Sequence, residues 1–425
     1  MKAAPLRILV VGSKYPPEYA GSGVLIHDYY KRLKGRGKPI EVNVITNSIE
    51  FPGNANYIYD GVQVKRISSK VLSGWRKLPG IFLPRLFHAL KAWSEAVQTW
   101  LALRRLPCDV IHVFGMSSST ATAILFGSLK KVPLVIELVT TGATPKQTLP
   151  FLRSERCLRL SEGTAIVAIS QALAEKCSRL GFKENIWVRP NPIDEVRFCP
   201  EFGTRMKVRQ KHTPFGKNDK LLTMVAKFMP QKNQSFLIEV MEKLPGEYKL
   251  ILAGPLVEKG PLADRDRQYF EKIQDRINES GLEERVLLRP HFVDSAEFMK
   301  MSDVYLLPNK NEGLGSPMLE ALACGIPVVA NSNEPPFRQW VVDGENGFLR
   351  PLDADAWAKA IMGADKIEME KRLAASCSVL NAAGAKKIDG DFYAILRGIT
   401  SVSVEKQLDV EACIQKYGHL NSVKT

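Results

Sequence analysis

Several things are missing from this sequence, and each absence narrows the reading. There is no apolar run of roughly 18 residues, the length a bilayer-spanning helix needs. The opening stretch, MKAAPLRILVVGSKYPP, has too short an apolar core for a signal peptide and runs straight into a strand-like segment. The seven cysteines, scattered from Cys108 to Cys413, form no CxxC pair, which suits a reducing compartment and argues against a cysteine-held metal. No zinc-finger, RRM or KH pattern and no basic tail is found, so nucleic acid is a poor account of the charge. Acids are scarce: 45 against 59 lysines and arginines, a net charge of +14. An anionic membrane surface and a phosphorylated substrate are the partners that such an excess suits. There is no low-complexity tract.

What is present is long enough for more than one core. At 425 residues the chain exceeds the roughly 250–300 at which a single core stops growing. The sequence is organised around Asn309 to Ala330, NKNEGLGSPMLEALACGIPVVA. Val304 to Pro308 reads as a buried strand, Glu312 to Gly315 as a glycine loop, Met318 to Cys324 as a helix, and Val328 to Ala330 as a second strand. Ser316 is read as the helix cap and Pro317 as its first helical residue. Such a βαβ unit exposes a helix N-terminus at the carboxyl end of a parallel sheet, where anions bind. Glu312 and Glu320 flank that point. They repel phosphate, so sugar or ribose hydroxyls are their natural partners.

The rest of the chain repeats the alternation. Leu6 to Val11 is a strand, the loop GSKYPPEYAGSG carries Gly21, Ser22 and Gly23, and Val24 to Leu33 is a helix. Strands follow at Val42–Ile45, Asp109–Phe114, Val132–Leu138, Ala165–Ser170 and Ile186–Val188. Between Lys70 and Arg105 stand Trp75, Trp93 and Trp100 with seven basic residues and a single acid, Glu95. There Leu86, Leu90, Trp93, Val97 and Trp100 form a helical stripe. Two readings stand for it: burial on a sheet, or an interfacial helix. Trp75 to Pro84 reads as an exposed segment that touches a membrane or a lipid-linked acceptor. The proline-stiffened run Arg189 to Asp194 marks a boundary. A second alternating half opens with Leu221–Lys227, a loop FMPQKN and a helix, then strands at Tyr248–Ala253 and Val286–Leu288. Asp264-Arg265-Asp266 and Asp353-Ala354-Asp355 precede helices and read as caps rather than metal ligands.

Two glutamates seven residues apart, with GLGSPMLE ending on the second, resemble the EX7E motif of retaining glycosyltransferases of family 4. The resemblance covers most of the chain and implies an α/β protein of GT-B architecture. In that arrangement two Rossmann-like domains face each other across a cleft, and a C-terminal helix (here Phe392 to Leu396) crosses back to the first. The corresponding divisions are an acceptor domain over residues 1–194, a donor domain over 195–380 and closing helices with a tail over 381–425. The implied reaction moves a sugar from a nucleotide-diphosphate sugar to an acceptor hydroxyl with retention. Glu312, Lys227 and Lys232 would be catalytic. Gly23, Phe292, Val293, Gly313, Leu314, Gly315 and Glu320 would bind the donor. Neither a metal nor another cofactor is implied, and the implied location is cytoplasmic, on or near the membrane face.

Four positions depart from the family's pattern. Ser22 replaces a glycine, with His27 matching the histidine that follows. Thr140 and Thr141 stand where a histidine is usual. Lys227 replaces an arginine, keeping charge and losing the bidentate fork, and Gln339 replaces a glutamate. The acceptor is a glycan or lipid-linked molecule on the preferred reading. A soluble transferase making a small disaccharide or glycosylated metabolite is the alternative, and a non-catalytic scaffold the third.

Overall fold

The computed structural model describes residues 4–400 apart from 19, 49, 52, 69–81, 141, 143, 146–148, 150–162 and 258–261. The chain divides into two units, one running to Arg189 and taken up again from Lys387, the other Pro190–Lys386.

The first unit is built on eight strands: β1 (Leu6–Gly12), β2 (Ile40–Thr46), β3 (Ala55–Tyr59), β4 (Val62–Arg66), β5 (Val110–Phe114), β6 (Leu134–Leu138), β7 (Thr164–Ala168) and β8 (Ile186–Val188). Their order is β3-β4-β2-β1-β5-β6-β7-β8, parallel except for the β3–β4 pair. β5, β6 and β7 are buried at every position, as strands covered on both faces must be. The β3–β4 hairpin turns on Asp60 and Gly61, both at positive φ, the geometry that lets a two-residue turn follow the strand twist.

The last described helix, Ala385–Thr400, completes this unit's core. Ile388, Phe392, Ile395, Leu396 and Ile399 are buried in it. Phe392 stands edge-on to Tyr29 at 4.6 Å and stacks on Trp187 at 6.2 Å. Asp389, fully buried, accepts hydrogen bonds from Arg32 (2.7 and 3.0 Å) and Arg36 (2.9 Å). Beneath lies a buried polar chain: Tyr30 to His112 (2.6 Å), His112 to Glu137 (3.1 Å) and Glu137 to Arg189 (2.9 Å). Burial alone would raise the Glu137 carboxyl, but Arg189 and His112 hold it below the usual glutamate range.

The helix Phe82–Arg105 corrects the buried-stripe reading. Ala89, Ala96, Thr99, Ala102 and Leu103 are buried, whereas Leu86, Leu90, Val97 and Leu101 are exposed. The small residues win the inner face because they permit close approach to the neighbouring helix Ser118–Lys130. Ala96 clusters with Ala121, and Trp100 meets Phe126 at 5.1 Å. Glu95 also turns inward, accepting from Ser118 at 2.6 Å. Trp75 lies outside the described residues.

The second unit carries six parallel strands: β9 (Lys220–Val225), β10 (Tyr248–Ala253), β11 (Val286–Arg289), β12 (Val304–Leu307), β13 (Val328–Asn331) and β14 (Gly347–Arg350). The order β11-β10-β9-β12-β13-β14 means that the chain first builds outward from β9 on one side, then returns to build from β12 on the other. The reversal between β9 and β12 opens a crevice at the carboxyl ends of those strands, the usual ligand position in such sheets.

We expect Phe392→Ala to cost roughly 3–5 kcal/mol, the range for emptying a core aromatic site. Urea denaturation should show a lowered midpoint with an unchanged slope for the transition reporting the first unit.

Candidate active site

The loops at the carboxyl ends of β9 and β12 in the second unit are tied to each other. After β12 the chain passes Asn311, held at φ 59°. The carboxylate of Glu334, only 8% exposed, accepts the backbone N–H of Asn311 and of Glu312, both at 2.8 Å. From the β9 loop, Gln231 accepts the Lys310 N–H at 3.0 Å and donates its side-chain amide to the Asn311 carbonyl at 3.0 Å. Asn233 reaches the Pro308 carbonyl at 3.3 Å. Asn331 donates to the carbonyl of Asn309 at 3.0 Å, and buried Asn309 in turn donates to Glu312 Oε1 at 2.6 Å. The Glu312 carboxylate is therefore aimed by its neighbours.

Gly315 ends this loop at φ +80°. A Cβ there would meet Phe337 Cε1 at 2.5 Å, so only glycine fits. The helix Ser316–Ala323 follows, with Gly315 as its N-cap and Pro317 in the first turn. Ser316 does not cap the helix, contrary to the sequence expectation. Its hydroxyl instead accepts from Asn191 Nδ2 at 2.7 Å, a partner 125 positions away. No side chain covers the helix start; Pro317 has no N–H and the Met318 N–H goes to the Gly315 carbonyl at 2.8 Å, so the donors left open there are those of Leu314, Gly315 and Ser316. Gly313 and Leu314 are buried beside it.

Lys232 and Glu312 come together as an ion pair. Glu320 lies one turn along the helix. Among the described residues its carboxylate has no hydrogen-bond partner, and burial pushes it up to about 7, eased only by Arg197. Lys227 is placed elsewhere. Its Nζ lies 2.7 Å from Asp266 Oδ2, in the first turn of the helix Ala263–Glu279, while Gln234 donates to its carbonyl at 2.9 Å. The structure thus brings Lys232, Glu312 and Asn309 into contact and seats Lys227 on a separate carboxylate, around the same strand ends. It also corrects the capping role expected of Asp264-Arg265-Asp266: that helix has Leu262 as N-cap with no side-chain cap bond, and Asp266 is fully buried. Asp353 does cap its helix, accepting from the Ala356 N–H at 2.8 Å.

Phe292, 62% exposed, and half-buried Val293 follow β11 at the same edge of the sheet. Gly23 sits in the first unit, in the first turn of the helix Gly21–Gly35, where a Cβ would stand 2.8 Å from the Lys14 carbonyl oxygen. His27 is buried with both ring nitrogens engaged, by Tyr15 at 2.7 Å and Asp60 at 3.2 Å, so its role in this structure is to brace that helix. Thr140 is exposed just past β6, and Thr141 lies outside the described residues. Sequence reasoning missed Glu334, Asn309 and Asn331. The one signal was for Asn309 and Asn331, polar residues at the ends of the apolar runs of β12 and β13; Glu334 gave none.

Two family matches lie in tandem. Residues 19–197 match Glycosyltransferase Family 4, and residues 206–376 match Glycosyl transferases group 1. The N-acetyl-alpha-D-glucosaminyl L-malate synthase of Bacillus anthracis is 24% identical over 80% of this chain and 83% of its own length. A UDP-Gal:alpha-D-GlcNAc-diphosphoundecaprenol alpha-1,3-galactosyltransferase of Escherichia coli is 28% identical over 66% of this chain and 73% of its own. In fold, the chain is similar to a sucrose-phosphate synthase from Thermosynechococcus elongatus (TM-score 0.70, 17% identity, 94% of this chain and 100% of that one). It is similar also to Anabaena HepE in complex with UDP and glucose (TM-score 0.66, 18% identity, 93% and 100%). With both Rossmann-like sheets, the tandem matches and the EX7E loop in place, the chain belongs to glycosyltransferase family 4, the retaining glycosyltransferases of GT-B fold.

Proposed function

We propose that the second unit binds a nucleotide-diphosphate sugar and that the enzyme transfers its sugar to the hydroxyl of a lipid-linked or glycan acceptor. The observation that carries the donor half is the junction of Lys232, Glu312 and an uncapped helix start at the strand-order reversal. Lys232 and the N–H groups of Leu314 and Gly315 meet the diphosphate, with Lys227 beside them. Glu312 takes a donor-sugar hydroxyl, and Glu320 takes the ribose hydroxyls. Phe292 and Val293 lie toward the base.

In the transfer, the bond from the anomeric carbon to the diphosphate oxygen breaks and the carbon takes on oxocarbenium character. The acceptor oxygen bonds to that carbon from the same face. Its proton passes to the departing diphosphate oxygen, so the leaving group serves as base. Developing negative charge on the diphosphate is met by fixed donors already in place. The Glu312 carboxylate faces the developing positive ring. On this reading the reaction proceeds without added divalent metal.

The nature of the acceptor rests on the helix Phe82–Arg105. Its exposed face carries Leu86, Leu90, Val97 and Leu101 beside exposed Arg104 and Arg105, and its one acid is turned inward. Exposed Leu129, Lys130 and Lys131 end the neighbouring helix. Apolar side chains among cations fit an anionic lipid surface, and the cations repel a second copy of the same face. Among the described residues no helix is long and apolar enough to cross a membrane, so association would be peripheral. The Escherichia coli relative, whose name gives it a lipid-diphosphate acceptor, agrees with this reading. The Bacillus anthracis relative, named for malate, represents the small-acceptor alternative.

Lys232→Ala and Glu312→Ala should each lower transfer by at least about a hundredfold, the scale for losing a fixed transition-state donor, with the thermal midpoint near that of the native protein. A screen of UDP- and GDP-sugars scored by released nucleotide identifies the donor, and full activity in either variant would refute the site. Ribose hydroxyls donating to Glu320 favour its ionised form. Nucleotide affinity should therefore rise with pH and level off above about 7, and Glu320→Gln should flatten the profile in calorimetry. Stability carries the opposite sign. With the folded-state carboxyl raised, Glu320's contribution is complete below about pH 4.5 and is lost as pH climbs through about 7. Finally, the protein should sediment with phosphatidylglycerol-containing vesicles but not with pure phosphatidylcholine. Leu90→Asp with Val97→Asp should abolish this, and equal binding by the double variant would remove the face from consideration.

A further inference from the structure

The structure assigns a role to the helix start at Ala263 that the sequence did not suggest. Asp266 is a fully buried carboxylate that holds two cations at once. Its Oδ1 accepts from Arg265 Nε at 3.0 Å and Nη2 at 2.6 Å, and its Oδ2 lies 2.7 Å from Lys227 Nζ. The two oxygens of one carboxylate are about 2 Å apart, so the guanidinium and the ammonium are held as neighbours. We propose that Asp266 is a positioning residue and that Arg265 is a third diphosphate-binding cation, acting beside Lys227.

The argument rests on donor counting and exposure. A guanidinium has five N–H donors and an ammonium has three. Asp266 accepts two of the former and holds the ammonium as an ion partner, so donors remain on both cations for a phosphate oxygen. The Arg265 side chain is 44% exposed and that of Lys227 is 23% exposed, while the carboxylate beneath them is inaccessible. A ligand approaching from solvent therefore meets the two cations, with the anion shielded behind them, and the trio keeps one net positive charge. A solvated pair at a helix start would leave its acid in water. This acid is instead sunk into the protein, where its charge is tolerable only because both partners are in place. Arg265 also supplies what a lysine at position 227 cannot, a planar fork that can grip two phosphate oxygens. The cluster stands at the carboxyl ends of β9 and β10, the edge of the sheet that carries Lys232 and Glu312.

This inference rests on the diphosphate-sugar reading above, and the test separates the two. Binding is measured by calorimetry with whichever of UDP and GDP the native enzyme takes, and with the matching unphosphorylated nucleoside. Arg265→Gln should weaken the nucleoside diphosphate roughly tenfold or more, the scale of a lost charged hydrogen bond, and leave the nucleoside unchanged. Arg265→Lys, which keeps charge but not the fork, should fall between. Asp266→Asn should weaken the diphosphate too, but add little in a background carrying both Lys227→Ala and Arg265→Gln, because it acts through those two cations. Lys232→Ala serves as reference. If it weakens diphosphate binding and Arg265→Gln does not, the role of Arg265 is refuted while the site stands. If Arg265→Gln weakens nucleoside and diphosphate equally, its effect is on folding and the proposal fails. If Lys232→Ala also leaves the diphosphate unmoved, the underlying donor site is itself refuted.

Discussion

The site depends on a problem that the strand-order reversal between β9 and β12 creates. Two loops leave the sheet side by side, each with a residue at positive φ, Asn233 and Asn311, and neither has a further strand to pair with. Buried backbone groups left unpaired cost about 1–3 kcal/mol each, so the loops must satisfy one another or find side chains. They do both. Gln231 and Asn233 bond across to the β12 loop, and Glu334 takes two of its N–H groups from below. The lacing fixes the two backbones, and fixed backbones bring Lys232 and Glu312 within contact. What remains uncapped is the turn from Leu314 to Ser316 at the start of the helix Ser316–Ala323, whose N–H groups a charged ligand can complete.

Much of this was legible because parallel strands buried on both faces read as near-continuous apolar runs, broken here only by Arg7, His112 and Lys249. Leu6–Gly12, Val110–Phe114 and Tyr248–Ala253 announce themselves that way, and the loop–helix with Glu312 and Glu320 is recognisable by spacing. The β3–β4 hairpin was missed although Asp60-Gly61 is a turn signal, since its strands are short and only partly buried. Local pattern also failed where two faces of one element compete. In the helix Phe82–Arg105 the large apolar stripe looked like the buried one, but the alanine face packs closer and took that place.

Long-range pairing explains the other misses. Ser316 has the identity and position of a capping residue, and only the fold shows that Asn191 has claimed its hydroxyl. Asp266 sits where helix-start acids normally meet solvent, and nothing local reveals that Lys227, 39 positions earlier, lies against it. Glu334 is a single acid before two prolines, and its work is visible only once the β12 loop is seen resting on it.

The two carboxylate partners of the lysines differ in a way that bears on selectivity. Glu312 is near the surface of the site, and its bond to Lys232 can be exchanged: the lysine can turn to a phosphate oxygen if something else meets the carboxylate. On the proposed reading a donor-sugar hydroxyl does so. Asp266 offers no such exchange, because it is inaccessible to any ligand and must keep Lys227 and Arg265 throughout. On that reading, Lys232 is released when diphosphate and sugar arrive together, while Lys227 stays on Asp266. On the proposed reading this makes the intact sugar nucleotide the ligand that leaves no buried charge without a partner. The parts of that ligand, offered separately, would each satisfy only half of the Lys232–Glu312 pair.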